Sequence, residues 1–218
     1  MKDFKSLLNY DIFKGILEDE MKPMFNCIGI YSKKYYKNEY IYFDGNELNN
    51  IGLIYKGTVH MIKEDYWGNK SIFMIMNRGE IFGESYICSD ILTSSVSFYA
   101  NTDCEIIFLP FSRVLKTCKN SCQFHNRLIE NMVTEIAKKN IQLIEKVDIL
   151  SKRTIREKIM TYLSQIAQIS GEKSFVLPMG RNELSEYLGV NRSALSRELA
   201  QMKKEKIIDF SKNTFEIL

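Results

Sequence analysis

Hydrophobic positions along the chain change their spacing three times, and each change marks a boundary between kinds of structure. In residues 4–24, Leu7, Leu8, Ile12, Phe13, Ile16, Leu17 and Met21 recur among charged side chains with the spacing of short helices. Pro23 is read as their end, and the segment as a lid packed on the rest of the N-terminal part. From Tyr35 the spacing shortens to two. Tyr40 and Tyr42, then Ile51, Leu53 and Tyr55, then Val59, Met61 and Lys63, then Ile72 to Met76, read as short strands. Turns at Asp44-Gly45, Lys56-Gly57 and Trp67-Gly68-Asn69 separate them. A second series, Ile81-Phe82, Val96 to Tyr99 and Glu105 to Leu109, completes an antiparallel barrel or sandwich.

After Pro110 the helical spacing returns. Phe124, Leu128, Met132, Ile136, Leu143 and Val147 form a stripe along a segment of about seven turns. Ile129, Val133, Ile141 and Ile144 widen the apolar surface, so one side is expected on the strands and the rest against a parallel copy from a second subunit. Asp148 to Lys152 reads as a hinge, and Ile155, Ile159, Tyr162, Leu163 and Ile166 as the first helix of a second domain.

Two short helical patterns then meet at a glycine. Leu184 and Leu188 share one face, Gly189 permits a tight turn, and Val190 adds an apolar plug. Asn191 suits the N-cap of the next helix, where Leu195, Leu199 and Met202 recur at helical spacing. On the opposite face lie Ser193, Ser196, Arg197 and Ala200, with Arg192 at the leading end. A major groove admits one helix; small side chains allow close approach, and an arginine can pair bidentately with guanine. Lys203 and Lys204, near the helix end, are placed for phosphates. Ile207, Ile208 and Phe210, then Phe215, Ile217 and Leu218, read as a β-hairpin wing around Ser211 to Thr214.

Charge supports that reading. The net charge of +3 hides an asymmetry: residues 151–218 hold 12 Lys/Arg against 8 Asp/Glu, and residues 1–150 hold 18 against 19. A basic excess at one end suits a protein that touches phosphates with that end. The first twenty residues contain no apolar core segment of the kind a signal peptide needs, and no run approaches membrane-spanning length. Five cysteines, an odd number without a paired framework, fit a reducing compartment. The expected location is the cytoplasm, with no membrane partner.

The order of parts resembles the Crp/Fnr family of bacterial transcription regulators. Gly57 after the third strand, the run Arg78-Gly79-Glu80-Ile81-Phe82-Gly83-Glu84, and Arg181 through Ile208 carry the likeness. The resemblance implies an α+β chain: an N-terminal antiparallel β-roll, double-stranded and jelly-roll-like, a long dimerisation helix, and a C-terminal winged helix-turn-helix domain. The expected boundaries are 1–110 for an effector-sensing roll, 111–150 for the dimerisation helix and hinge, and 151–218 for the DNA-binding domain. The implied partners are a second copy of the chain, a pseudo-palindromic double-stranded DNA operator, RNA polymerase and a small-molecule effector. On the DNA side it implies roles for Arg181, Arg192, Ser193, Ser196, Arg197, Lys203 and Lys204; Ser193 stands where some members carry an acidic reader.

In members that bind cyclic AMP, a Gly-Glu pair holds the ribose and a following Arg-Ser pair holds the phosphate. Gly83 and Glu84 match the first pair. Counting back from Cys104-Glu105, the second pair falls on Ser94 and Ser95, and Arg78 is the sole cation between Lys70 and Arg113. A cyclic phosphate would lack its counter-ion. Lys139 and Asn140 of the long helix are counted with these residues as the effector pocket. Cyclic AMP is thus expected to bind weakly or not at all, leaving a different small molecule, or a redox or gas signal. The iron–sulfur branch needs an N-terminal cysteine cluster, and Cys27 stands alone there.

Cys118, Cys122 and His125, at offsets of four and three, are the soft-ligand candidates for a metal, or, through His125, for haem. Lys119-Asn120-Ser121 reads as a helix break that would separate them, and buried cysteines commonly act as small hydrophobes. DNA binding is therefore expected to need no cofactor, with haem or a metal as the alternative. An enzyme built on Cys122 and His125 would lack an orienting acid, and no phosphate loop or metalloprotease motif occurs, so a regulator rather than an enzyme is expected. His60 is read as structural.

Overall fold

The computed structural model describes residues 5–89, 91–115 and 123–218. Its contacts divide into two compact units, one of Met1–Lys63 and Met74–Asn140, the other of Glu64–Phe73 and Ile141–Leu218.

The first unit begins with two 3-10 turns, Lys5–Asn9 and Asp11–Phe13, and helix α1, Glu18–Ile28. Pro23 lies inside α1 rather than ending it, which corrects the sequence reading. The missing N–H costs one helical bond, but Met21, Met24, Phe25 and Ile28 are buried by continuing the helix. Tethers hold this segment to the rest of the unit. Arg127 donates to Gly15 O at 2.7 Å and to Glu20 Oε2 at 3.1 Å, and Asn131 Nδ2 donates to Ile12 O and Lys14 O at 3.0 and 2.9 Å.

Strands β1 (Tyr31–Tyr35), β2 (Tyr40–Tyr42), β3 (Asn50–Lys56), β4 (Val59–Glu64), β5 (Lys70–Met76) and β6 (Ile81–Phe82) come next. After helix α2 (Glu84–Ile87) come β7 (Ser97–Ala100), β8 (Cys104–Pro110) and helix α3 (Phe111–Leu115). They form two four-stranded sheets, ordered β1-β8-β3-β6 and β2-β7-β4-β5. β1 has no apolar signature, since Ser-Lys-Lys fills its middle; its backbone pairs with β8 from Tyr31↔Phe108 to Tyr35↔Cys104. β3 and β8 are buried on both faces because sheet residues pack on one side and Met21, Phe25, Leu128 and Met132 join the same core. At Gly57 the chain has φ +92°, and an added Cβ would lie 2.5 Å from Asp103 O, so the turn admits glycine alone.

Helix α4, Gln123–Ser151, is continuous and passes from one unit to the other between Asn140 and Ile141. The sequence stripe divides. Phe124, Leu128 and Met132 are buried in the core, whereas Val133, Ile141, Leu143, Ile144, Val147 and Leu150 are exposed. An apolar row open to a partner therefore runs through Val133, not Met132. The break after α4 is short, because α5 (Ile155–Ser170) starts at a capping box in which Thr154 Oγ1 accepts from Glu157 N at 3.1 Å.

In the second unit α5 is followed by β9 (Ser174–Val176), α6 (Arg181–Leu188), α7 (Arg192–Lys204), β10 (Ile208–Ser211) and β11 (Thr214–Ile217). The strands form an antiparallel sheet ordered β10-β11-β9. Ile159, Leu163, Leu184, Leu188, Leu195, Leu199, Met202, Ile208 and Phe215 are buried and make its core. Among the described residues no helix is long and apolar enough to cross a membrane.

Candidate nucleic-acid interface

α6 ends at Gly189, whose φ of +61° turns the chain toward α7. Asn191 Oδ1 accepts from Ser193 N at 2.9 Å and Ala194 N at 3.4 Å, which satisfies orphan donors of the first turn of α7. Such a cap stabilises a helix by about 1 kcal/mol. Leu195, Leu199 and Met202 anchor the rear of α7, so Arg192, Ser193, Ser196, Arg197, Ala200 and Lys204 are left exposed.

The rear of α7 is acidic and clamped. Arg156 of α5 donates through Nε to Glu198 Oε1 at 2.6 Å, and through both terminal nitrogens to Glu205 at 2.7 and 3.1 Å. The two carboxylates raise its pKa further above the ordinary arginine value. This neutralises the carboxylates of α7 on the side away from its open face. Arg192, Arg197 and Lys204, by contrast, make no ion pair among the described residues. Their charges are available to a ligand.

Two residues read from the sequence as DNA contacts are engaged within the unit. Arg181 lies over the rings of Phe210 and Phe215 at 5.0 and 4.6 Å and donates to Lys212 O at 2.7 Å. Burial lowers its pKa, and its Nη1 is buried without a partner among the described residues. The family resemblance gave Arg181 a DNA role; in the fold it stacks on the two phenylalanines and holds the wing. Lys203 pairs with Asp209 and donates to Phe210 O at 3.0 Å. Lys204 keeps the open position that Lys203 gives up.

Sequence reasoning missed the support behind the turn. Lys146 of α4 donates to Tyr187 O and sits 3.0 Å from the Tyr187 ring centroid, while Lys158 of α5 donates to Leu188 O at 3.2 Å. Two ammonium groups thus cap the negative end of α6. Burial, with Lys158 nearby, depresses the Lys146 pKa to about 7. A lysine in register with the buried stripe of α4 was the available signal. Arg156 had none, being far in sequence from both glutamates.

The pocket residues fall in the first unit. Glu84 opens α2 after Gly83 and is 2% exposed; Lys139 Nζ donates to its Oε1 at 2.9 Å. Ser94 is buried and its hydroxyl donates to Val96 O at 2.7 Å, whereas Ser95 is exposed and shares a 2.9 Å hydrogen bond with Tyr86 Oη. Asn140 faces solvent, so the structure does not bring it to Glu84. Cys118 and Cys122 lie outside the described residues. His125 is buried against Phe124, and burial lowers its pKa. Among the described residues no three His, Cys, Asp or Glu side chains group to hold a metal. His60 is buried on β4.

Residues 32–121 match the model of the cyclic nucleotide-binding domain, and residues 157–218 that of the Crp-like helix-turn-helix domain. The chain is 25% identical over 214 residues to the HTH-type transcriptional regulator ArcR of Staphylococcus epidermidis, covering 95% of this chain and 88% of that one. It is 24% identical over 177 residues to the transcriptional activator protein anr of Pseudomonas aeruginosa, covering 79% and 70%. Among solved structures, the c-di-GMP responsive global regulator CLP of Xanthomonas campestris aligns with a TM-score of 0.74 at 16% identity, covering 91% and 98%. A cyclic nucleotide-binding domain containing protein from Listeria monocytogenes aligns at 0.71 and 18% identity, covering 91% and 92%. The likeness to these two structures is one of fold.

Proposed function

Since the chain belongs to the Crp/Fnr family of transcription regulators, we propose that it is a cytoplasmic, homodimeric, sequence-specific DNA-binding regulator, and not an enzyme. The observation that carries this reading is the open face of α7: Arg192, Arg197 and Lys204 are exposed, and unpaired among the described residues, beside Ser193, Ser196 and Ala200, on a helix fixed from behind. Arg197, at mid-helix, is assigned the main base contact, with Arg192, Ser193 and Ser196 assisting and Lys204 on phosphate.

Dimerisation is supported by the open row on α4. Ile129, Val133, Ile136, Asn140, Leu143, Val147 and Leu150 alternate steps of four and three, the spacing of a two-stranded seam. A pseudo-palindromic operator follows from a two-fold pair of reading helices. RNA polymerase is the expected protein partner. Residues 1–110 are assigned to signal reception, 111–150 to pairing and the hinge, and 151–218 to DNA. The signal is a small molecule, or a redox or gas cue, other than cyclic AMP. The reading requires no haem or metal, which an absorbance spectrum and metal analysis of fresh protein would check.

The test is selection of duplexes from a random library by the purified chain, followed by sedimentation of Val133→Glu. Enrichment of a two-fold symmetric sequence, lost with the dimer in the variant, is expected. Failure to enrich any sequence would remove the reading.

A further inference from the structure

Glu84 and Lys139 form a buried ion pair at the centre of the residues read as an effector pocket. Lys139 is 9% exposed and Glu84 2%. The ammonium group also donates to Ile81 O, just before Gly83, and Ser85 Oγ donates to Glu84 Oε1 at 3.1 Å. Oε2 of Glu84 is buried without a partner among the described residues. The two serines counted in the same pocket are engaged within the chain. Ser94 is bonded to Val96, Ser95 Oγ to Tyr86, and Lys63 Nζ donates to Ser95 O at 2.9 Å.

Burying two charges is costly before their attraction offsets it, and apolar side chains of similar size often serve stability as well. A buried pair that joins α2 to α4 therefore has a use in placing α4. At 100° per residue the inward face of α4, with Leu128, Met132, Glu135 and Lys139, lies about a quarter turn from the open row of Val133, Ile136 and Asn140. Fixing Lys139 inward fixes that row outward. The same uninterrupted helix continues into the DNA-binding unit.

We propose that Lys139 is the resident occupant of the effector pocket: its bond to Glu84 takes the place of a bound small molecule, holds α4 in the rotation that presents the pairing row, and makes the ligand-free protein the DNA-binding form. A signal then acts by breaking the pair and switching binding off. This rests on the regulator reading above.

The experiment uses the full chain, unfolded and refolded to strip small molecules, and a duplex taken from the random-library selection. Stripped wild-type protein should bind it, with no gain from added cyclic AMP or cyclic GMP. Lys139→Met and Glu84→Gln, assayed at a temperature where circular dichroism shows both folded, should lose roughly 5- to 150-fold in DNA affinity, the usual span of coupling between sites. The double variant Glu84→Met/Lys139→Met should dock α4 without charge and recover binding, a rescue that a general loss of stability would not predict. If stripped protein binds only after a cyclic nucleotide is added, the inference fails and the regulator reading stands. Unchanged affinity in a folded Lys139→Met protein also overturns it. Absence of DNA binding under every condition overturns both.

Discussion

Lys139 and Lys146 stand seven residues apart on one helix, both buried, and meet opposite surroundings. Lys139 faces a carboxylate. Lys146 faces a carbonyl, an aromatic ring and another lysine. The contrast extends to the units they serve. In the N-terminal unit Lys138 pairs with Asp11 and Glu135, and Arg127 with Glu20. In the C-terminal unit Arg192, Arg197 and Lys204 of α7 are left without acids among the described residues, while Lys203 pairs with Asp209 and Arg156 takes the two glutamates on the rear. The buried and bridging pairs of the first unit hold a shape; the three unmatched cations of α7 hold charge ready for a polyanion.

The contrast predicts a graded series of effects. The largest falls on the matched pair. Lys139→Met leaves Glu84 buried and uncompensated, and should lower unfolding free energy by about 3–5 kcal/mol in urea titrations at pH 7. A loss below about 1 kcal/mol, the size of an exposed ion pair, would mean that water reaches Glu84 and that the pair is not closed.

Lys146 gives the next effect, and it depends on pH. Its folded pKa is depressed to about 7 from 10.5. Between those values the unfolded chain binds a proton that the folded chain does not, so stability rises with pH across that window. Below about pH 7 both states are protonated, and the burial penalty stays constant. The rise should reach a few kcal/mol by order of magnitude and vanish in Lys146→Met, measured as the difference between the two proteins. Equal slopes would show that Lys146 is hydrated.

Arg197→Ala comes third. A bidentate guanine contact accounts for about 1–3 kcal/mol of discrimination, so specificity should relax at one base pair per half-site. Should specific and scrambled duplexes lose affinity equally, Arg197 is a phosphate clamp. Lys204→Ala is the smallest effect. It should weaken all duplexes alike and reduce the salt slope by about 1, whereas Lys203→Ala should leave the slope unchanged because Asp209 already holds that charge.

The reading helix was legible in the sequence because its signals are local. The N-cap at Asn191, the glycine turn and the leucine spacing all lie within one stretch. The strands of the roll were legible where alternation and glycine turns coincide, and β1 was missed because pairing with β8, not its own side chains, makes it a strand. α1 ran past Pro23 because tertiary burial outweighed one lost hydrogen bond. Ion pairs were the least legible. Glu84 and Lys139 are 55 residues apart and Arg156 and Glu205 are 49 apart, and no spacing rule joins such positions. Arg181 shows the converse: the family resemblance gave it a DNA role, and its contacts to two phenylalanines brought together by the wing were not foreseen.

The closed pair of Glu84 and Lys139 also constrains how this chain can change over generations. Losing either charge strands the other in a dry interior, so each single step passes through a weakened protein, while a joint exchange to apolar residues need not. The two positions are bound to one another as an inherited unit. In descendants and cousins of this sequence, a neutral residue at one site should travel with a neutral residue at the other, and a lone acid at the first should mark a lineage in which something outside the chain supplies the missing charge.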